Sequence, residues 1–181
     1  MRRANLGTNG SQPRKWSKRQ WLKRTRSEAA SHARLVQGRL IVTAPPRLEP
    51  PAIERRRSRV HGWGVFALEP ISKNKRIVDY AGELVANSRA TPREERYLEE
   101  GCIWCFQLNR LWVIDAGVGG NIARFINHSC QPNCHSRIER GLIWICASRV
   151  IRRGEELTYN YFTEGAAEIP CGCRPGCQNM L

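Results

Sequence analysis

Acidic side chains are scarce at one end of this sequence. Residues 1–59 hold 3 of them against 16 Lys/Arg, a net charge of +13, whereas residues 60–181 hold 13 against 14, a net of +1. The deficit is thus confined to an N-terminal arm, and the remainder reads as an ordinary near-neutral globular sequence. A basic arm attracts polyanions, nucleic acid first and an anionic membrane surface second. Long hydrophobic runs are missing too: none approaches the roughly 20 residues needed to cross a membrane. The basic start lacks the following apolar stretch of about 7–15 residues that a secretory signal needs. Both absences predict a protein inside a cell, where eight cysteines signal thiols and metal rather than disulfides. No internal repeat is present. The 181 residues suit one domain plus an appendage.

From Met1 to about Arg57 the chain is rich in Arg, Lys, Ser and Pro, and the expectation for residues 1–52 is a basic, disordered arm and linker. One helix is conceivable within it. Ser17 with Gln20 makes a capping-box pattern, Trp21, Leu22, Ala29, Ala33 and Val36 recur on one side, and Gly38 would end it. The stretch "APPRLEPP" (44–51) reads as an extended linker. From about Ser58 short apolar runs alternate with Gly, Asn and Pro. "VFAL", "RIVDYAGELV", "CIWCFQL", "LWVID" and "LIWICASRVI" read as strands that follow one another without intervening helical patterns, so a mainly antiparallel β domain is expected. One helix is well signalled: Thr91 as N-cap, Pro92 in the first turn, Glu94 completing a capping box, and Gly101 as the left-handed C-terminal residue.

The segment "FINHSCQPNC" (125–134) packs Asn127, His128, Cys130 and Cys134 together. A nucleophilic role is disfavoured. In an extended segment the side chains of His128 and Cys130 start about 7 Å apart on parallel tracks, whereas a Cys–His pair needs about 3 Å. Metal binding has its support at the other end of the chain. "CGCRPGC" sets Cys171, Cys173 and Cys177 within seven residues, with Gly and Pro supplying tight turns. A structural zinc site is normally closed by four ligands. The spacing leaves Cys130, Cys134, Cys102, Cys105, Cys146 and the four histidines as candidates for the fourth.

Five segments in order carry a family resemblance: "HGWGVFA" (61–67), "DYAGELV" (79–85), "GNIARFINHSCQPN" (120–133), "GEELTYNY" (154–161) and the closing "CGCRPGC". Over about residues 56–178 the sequence resembles the SET domain of protein lysine methyltransferases, followed by its post-SET zinc segment. The resemblance implies a mainly β fold of several small curved antiparallel sheets, a short helix and a knot-like C-terminal crossing. Residues 53–165 would be the SET domain and 166–181 the post-SET segment. It also implies S-adenosyl-L-methionine as methyl donor, held at Asn127 and His128 largely through backbone groups. His61, Gly62, Trp63, Gly64 and Trp104 match further cofactor-contacting positions. Cys130 becomes the fourth ligand of one structural zinc, with Cys171, Cys173 and Cys177. Tyr161 matches the catalytic tyrosine, Tyr80 lines the lysine channel, and Tyr159 shares the pocket. Cys134 is expected as a packed thiol, the "CIWC" pair as strand packing, and Arg124 as a brace of its loop.

The reaction so implied is in-line methyl transfer to a lysine amine. A lysine with an ordinary pKa of about 10.4 must first lose its proton, which desolvation in a narrow channel promotes. Alignment and exclusion of water are then the main tasks of the site. The expected activity is protein-lysine N-methylation of a histone or another basic chromosomal protein, mainly to the monomethyl product. The competing expectation is an inactive SET-like zinc module that binds nucleic acid through the basic arm. Localisation is expected in the nucleus or on the chromosome if the source is eukaryotic, and in the cytoplasm or nucleoid if bacterial. Three departures from the family pattern stand out. Asn160 replaces the usual Asp, and the tail reads C-x-C-x3-C with one residue fewer than usual before its last Cys. Only four residues follow Cys177, so the post-SET wall of the channel is expected to be thin or completed by a partner.

Overall fold

The computed structural model describes residues 33–43, 49–163 and 169–181. The Ser17/Gln20 capping pattern and most of the expected Pro-rich linker lie outside the described residues. Twelve strands and one α-helix follow in order. They are β1 (Ala33–Val36), β2 (Arg39–Val42), β3 (Ile53–Arg57), β4 (Trp63–Ala67), β5 (Arg76–Asp79) and β6 (Gly82–Ala86). After α1 (Thr91–Glu99) come β7 (Cys105–Gln107), β8 (Trp112–Asp115), β9 (Asn127–His128), β10 (Cys134–Glu139), β11 (Leu142–Ala147) and β12 (Glu156–Tyr159). The expected mainly β architecture with several antiparallel sheets and a short helix is what the chain adopts.

Three sheets form, ordered β1-β2-β6-β8-β7, β10-β11-β5 and β3-β4-β12-β9. Every pairing is antiparallel except β9 with β12, which is parallel and sets Thr158 opposite Asn127 and Tyr159 opposite His128. That pairing is the junction on which the site depends, because it lays the C-terminal strand beside the "FINH" segment. The middle strand β11, six apolar residues in a row, is buried at every position, as expected of a strand covered on both faces. Ile77, Ile114, Ile126, Ile143, Ile145, Ile151, Leu157 and Val65 complete a single core shared by the sheets.

Residues 33–42, assigned by the sequence to a disordered arm with a helix, form a hairpin instead. Gln37 and Gly38 both have positive φ, 48° and 76°, the geometry of a two-residue hairpin turn. β2 then pairs with β6 through Ile41–Glu83 and Val42–Gly82. Ala33 and Val36 satisfy helical spacing, but Val42 gains a fully buried site only when its segment is extended against the sheet. In α1 the cap position is Ala90 and no side-chain cap forms, so Thr91 is the first helical residue and the expected capping box is absent. Gly101 does take the left-handed conformation, at φ 70°. Among the described residues no helix is long and apolar enough to cross a membrane.

Candidate functional site

An open cleft of about 200 Å³ lies where the β3–β4 turn, the segment after α1, β9 and the C-terminal tail meet. His61, Gly62, Trp63, Trp104, Asn127, His128 and Tyr161 all line it. With Cys171 and Cys173, which also line it, nine of the sequence-derived site residues, drawn from five parts of the chain, therefore share one surface. Gly64, Tyr80 and Tyr159 are not on its wall, and each has another place.

Gly64 is buried, and a Cβ on it would sit 2.2 Å from Glu156 Oε1. What approaches this glycine is thus a carboxylate of β12. Glu156 accepts the Ser58 hydroxyl at 2.7 Å and the Asn127 amide at 2.9 Å. The same Asn127 amide donates to the carbonyl oxygens of Trp63 at 2.9 Å and His61 at 3.3 Å. Asn127 thereby clamps the His61–Trp63 turn to the inner strands, and its side-chain N–H groups are spent on protein.

Behind the cleft lies an aromatic cluster. Tyr159 and Tyr161 rings are 4.9 Å apart, Phe106 stacks on Tyr159 at 5.8 Å, and Tyr80 meets Phe106 edge-on at 5.2 Å. The Tyr161 hydroxyl donates to the Ile126 carbonyl at 2.8 Å and that of Tyr80 to the Trp104 carbonyl at 3.0 Å. Burial pushes all three phenols above their ordinary value, so each is neutral at physiological pH. A phenol whose proton is committed to a carbonyl presents only its oxygen lone pairs elsewhere. The cluster offers rigid walls and accepting oxygens, and no strong base.

His128 joins this cluster to the cysteines. Its Nδ1 accepts the Tyr161 backbone N–H at 3.2 Å, so the proton of the neutral ring resides on Nε2. Burial lowers the His128 pKa, which favours that neutral form. Nε2 faces the Cys130 sulfur at 3.3 Å, far closer than the separation of about 7 Å expected of an extended segment, because β9 ends at His128 and the chain bends at Cys130. Cys130, Cys171, Cys173 and Cys177 place their sulfurs within 4.8 Å of one another, with Cys130–Cys171 at 3.7 Å and Cys130–Cys177 at 3.8 Å. Four sulfurs about 2.3 Å from a tetrahedral zinc stand about 3.8 Å apart, so the donor set and its spacing fit that ion. Burial opposes ionisation of Cys173, but hydrogen bonds from the Cys130 backbone and the neighbouring sulfurs outweigh it and bring that thiol down to about 7. The Asn179 amide donates to Cys130 Sγ at 3.1 Å, a contact of the kind that orients a metal-bound thiolate.

The other cysteines stay apart from this group. Cys134 is 1% exposed, and its thiol is pushed up to about 12 by burial. Cys105 is likewise pushed up to about 12, again mainly by burial. Arg124 donates to the Ala116 carbonyl at 3.1 Å and lies over the Trp104 and Phe125 rings at 5.0 and 4.7 Å, a brace as expected. Sequence reasoning passed over Phe106, Ser58, Glu156 and Asn133. Asn133 donates to the Glu156 carbonyl at 2.7 Å and accepts the Thr158 N–H at 2.9 Å, which anchors β12. It sits inside the quoted "GNIARFINHSCQPN" segment, so the signal was there, but its partner is 23 to 25 residues away.

The sequence profile of the SET domain matches residues 62–162. The chain belongs to the SET domain family. It is 46% identical over 132 residues to the H3 lysine-4-specific histone-lysine N-methyltransferase of Schizosaccharomyces pombe, covering 68% of this chain and 14% of that protein. It is 40% identical over 137 residues to the histone-lysine N-methyltransferase set1 of Dictyostelium discoideum, covering 71% of this chain and 9% of that protein. The chain thus spans about one seventh or less of the length of these relatives. Among solved structures, ctPRC2 in an autoinhibited conformation bound to S-adenosylmethionine aligns with a TM-score of 0.58 at 29% identity, over 64% of this chain and 16% of that chain. A humanized mutant of the Chaetomium thermophilum Polycomb Repressive Complex 2, bound to the inhibitor GSK126, aligns with a TM-score of 0.56 at 30% identity, over 64% of this chain and 15% of that chain.

Proposed function

We propose that this protein is an S-adenosylmethionine-dependent protein-lysine N-methyltransferase that acts on a histone or another basic chromosomal protein, in the nucleus or on the chromosome. The observation that carries the reading is the placement of Tyr161. Its ring lines the cleft while also belonging to the Tyr80–Phe106–Tyr159 cluster behind it. One residue thus borders two compartments, one for a donor and one for a lysine side chain. The cleft fits the donor: Trp63, Trp104 and Phe125 bring aromatic rings to its wall, each with an arginine guanidinium over it, and the 61–63 turn and β9 provide backbone groups. Relatives named as histone-lysine methyltransferases and a fold neighbour bound to S-adenosylmethionine support the same assignment.

S-adenosylmethionine, when bound, supplies an activated methyl group on a sulfonium. The chain's residues supply the rest. Burial among Tyr80, Phe106 and Tyr159 disfavours the charged form of an incoming lysine, so the amine sheds its proton to water and exposes a lone pair. The phenolic oxygens accept N–H from that amine and weak C–H contacts from the methyl group, which aligns donor and acceptor. Packing of the rings keeps water from the reacting atoms. Cys130, Cys171, Cys173 and Cys177 would hold one structural zinc that pins the tail against His128. Residues 53–165 with 166–181 form the SET and post-SET unit in this reading.

Incubation of the full-length protein with labelled S-adenosylmethionine and purified histones, followed by mass spectrometry of the labelled bands, tests the proposal. Label on a histone lysine is expected. Cofactor binding without transfer to any protein of a whole-cell extract would instead indicate the inactive zinc module.

A further inference from the structure

The arginines of β3 stand out from the other charges of the domain. β3 is the edge strand of its four-stranded sheet; Arg55, Arg56 and Arg57 on it are exposed, as is Arg59 in the bend that follows the strand. Register places Arg57 opposite Trp63 and Arg55 opposite Val65. Both guanidinium groups lie over the Trp63 ring, at 4.3 Å for Arg57 and 4.5 Å for Arg55. Arg55 also covers Phe125 at 4.8 Å. Arg56 points to the other side of the strand, over Phe66 at 4.2 Å, and pairs with Glu54 at 3.0 Å. Among the described residues no carboxylate pairs with Arg55, Arg57 or Arg59. The result is two uncompensated guanidiniums in alternate register over one indole, with a third at Arg59 in the bend beyond the strand.

We propose that this β3 face is a docking surface for the phosphate backbone of nucleic acid, separate from the basic arm that precedes it. Three features favour that partner. The charges are arginines, whose planar forks suit phosphate oxygens in a bidentate fashion. Arg55 and Arg57 are spaced about 6–7 Å apart along the extended strand, and Arg59 follows in the adjoining bend, so the charges succeed one another along the sheet edge, which suits a linear polyanion. Stacking on Trp63 and Phe125 fixes the guanidiniums in advance, which lowers the entropy lost on binding. Shielding an edge strand from association also calls for charge, but it does not call for three uncompensated arginines. Because Trp63 is shared with the cleft, nucleic acid on β3 would lie at the mouth of the site.

The test is a binding titration of the full-length protein with a fluorescent duplex of mixed sequence across a range of salt concentrations. The triple variant Arg55→Gln, Arg57→Gln, Arg59→Gln is compared with a control triple of equal charge loss, Arg110→Gln, Arg140→Gln, Arg153→Gln. Each lost phosphate contact lowers the salt slope by about 0.9. The β3 triple should therefore lose about 2–3 units of slope and bind about tenfold or more weakly, whereas the control should shift affinity by about twofold or less. Equal behaviour of the two triples would assign all binding to the arm and overturn the proposal. Tighter binding to anionic vesicles than to the duplex, lost in the same variant, would assign the face to a membrane surface and overturn it as well. If the triple variant shows no cooperative melting transition, the single Arg59→Glu substitution carries the same comparison. The readout is binding alone, so its outcome is independent of the methyltransferase reading.

Discussion

His128 stands within hydrogen-bonding distance of a metal-ligand candidate: its Nε2 is 3.3 Å from the Cys130 sulfur. The opposite ring nitrogen holds the Tyr161 backbone at 3.2 Å. One imidazole therefore links the four-cysteine group to the tyrosine that borders the cleft. Loosening at one end should be felt at the other.

The first prediction follows. The protein should contain one zinc per chain by elemental analysis, and Cys130→Ser should lose most of it. Removal of zinc by a chelator should also weaken S-adenosylmethionine binding by about tenfold, the scale at which outer contacts of metal sites act. Asn179→Ala, which removes the 3.1 Å contact to Cys130, should lower zinc affinity by about the same factor. Full zinc occupancy in Cys130→Ser would refute this ligand set.

Much of this arrangement was legible beforehand, for physical reasons that differ by residue. β11 was readable because six consecutive apolar residues allow little but a buried strand. The three tail cysteines were readable because thiolates converge only with tight turns between them, which Gly172, Pro175 and Gly176 provide, whereas Cys130, 41 residues from Cys171, came only from the family resemblance. The 33–42 hairpin was misread because Ala33 and Val36 also satisfy helical spacing, and the decisive contact, Val42 against Gly82, is distant in sequence. Asn127 lines the cleft, but its clamp on His61 and Trp63 spans 66 and 64 residues and leaves no local trace. Phe106 carries no motif of its own. Only the folding of β7 beside β8 brings it onto Tyr159.

Tyr161→Phe should reduce turnover by about 10²–10³, the cost of one preorganised polar contact at a reacting centre. The ring wall survives this change, so calorimetric affinity for S-adenosylmethionine should stay within about twofold of the unmodified protein on the scale of a single uninvolved contact. The lost bond is that from the hydroxyl to the Ile126 carbonyl, 2.8 Å long. Parallel losses of binding and turnover would remove Tyr161 from its proposed role.

Arg93 anchors α1 to the central sheet. It donates to Asp115 at 2.7 Å and to Glu83 at 2.5 Å. Asp115 is fully buried and also accepts the Tyr97 hydroxyl at 3.0 Å. Arg93→Ala would strand that carboxylate and should cost about 3 kcal/mol at neutral pH. Burial alone would raise the Glu83 pKa, yet Arg93 and Arg39 outweigh it and hold the group below 4.5. A depressed carboxylate stabilises the fold above its unfolded value, and that contribution is lost as pH falls through the folded value. Urea melts should therefore show wild-type stability falling as the pH drops below about 4.5, with a shallower fall in Arg93→Ala. Identical pH profiles would exclude the Arg93–Glu83 pair as the source.

The last prediction concerns how many methyl groups are added. Tyr159 is 5% exposed, packed between the parallel face of Phe106 and the tilted ring of Tyr161. Its hydroxyl is a buried neutral phenol, held neutral chiefly by desolvation. Such a hydroxyl takes up room beside an incoming amine and binds it, or a water, by a hydrogen bond. A monomethylated amine must turn about its terminal bond to present its lone pair again, and that bond resists the turn. The unmodified protein should therefore give mainly monomethyl-lysine. Tyr159→Phe keeps the stacking with Phe106, removes the hydroxyl, and should raise the share of di- and trimethyl product several-fold, since one hydrogen bond of about 1 kcal/mol corresponds to roughly a fivefold change in rate ratio. Intact-mass spectra of a methylated histone peptide over time separate the outcomes. Abundant trimethyl product from the unmodified protein, or an unchanged product ratio in Tyr159→Phe, would show that this hydroxyl sets no limit.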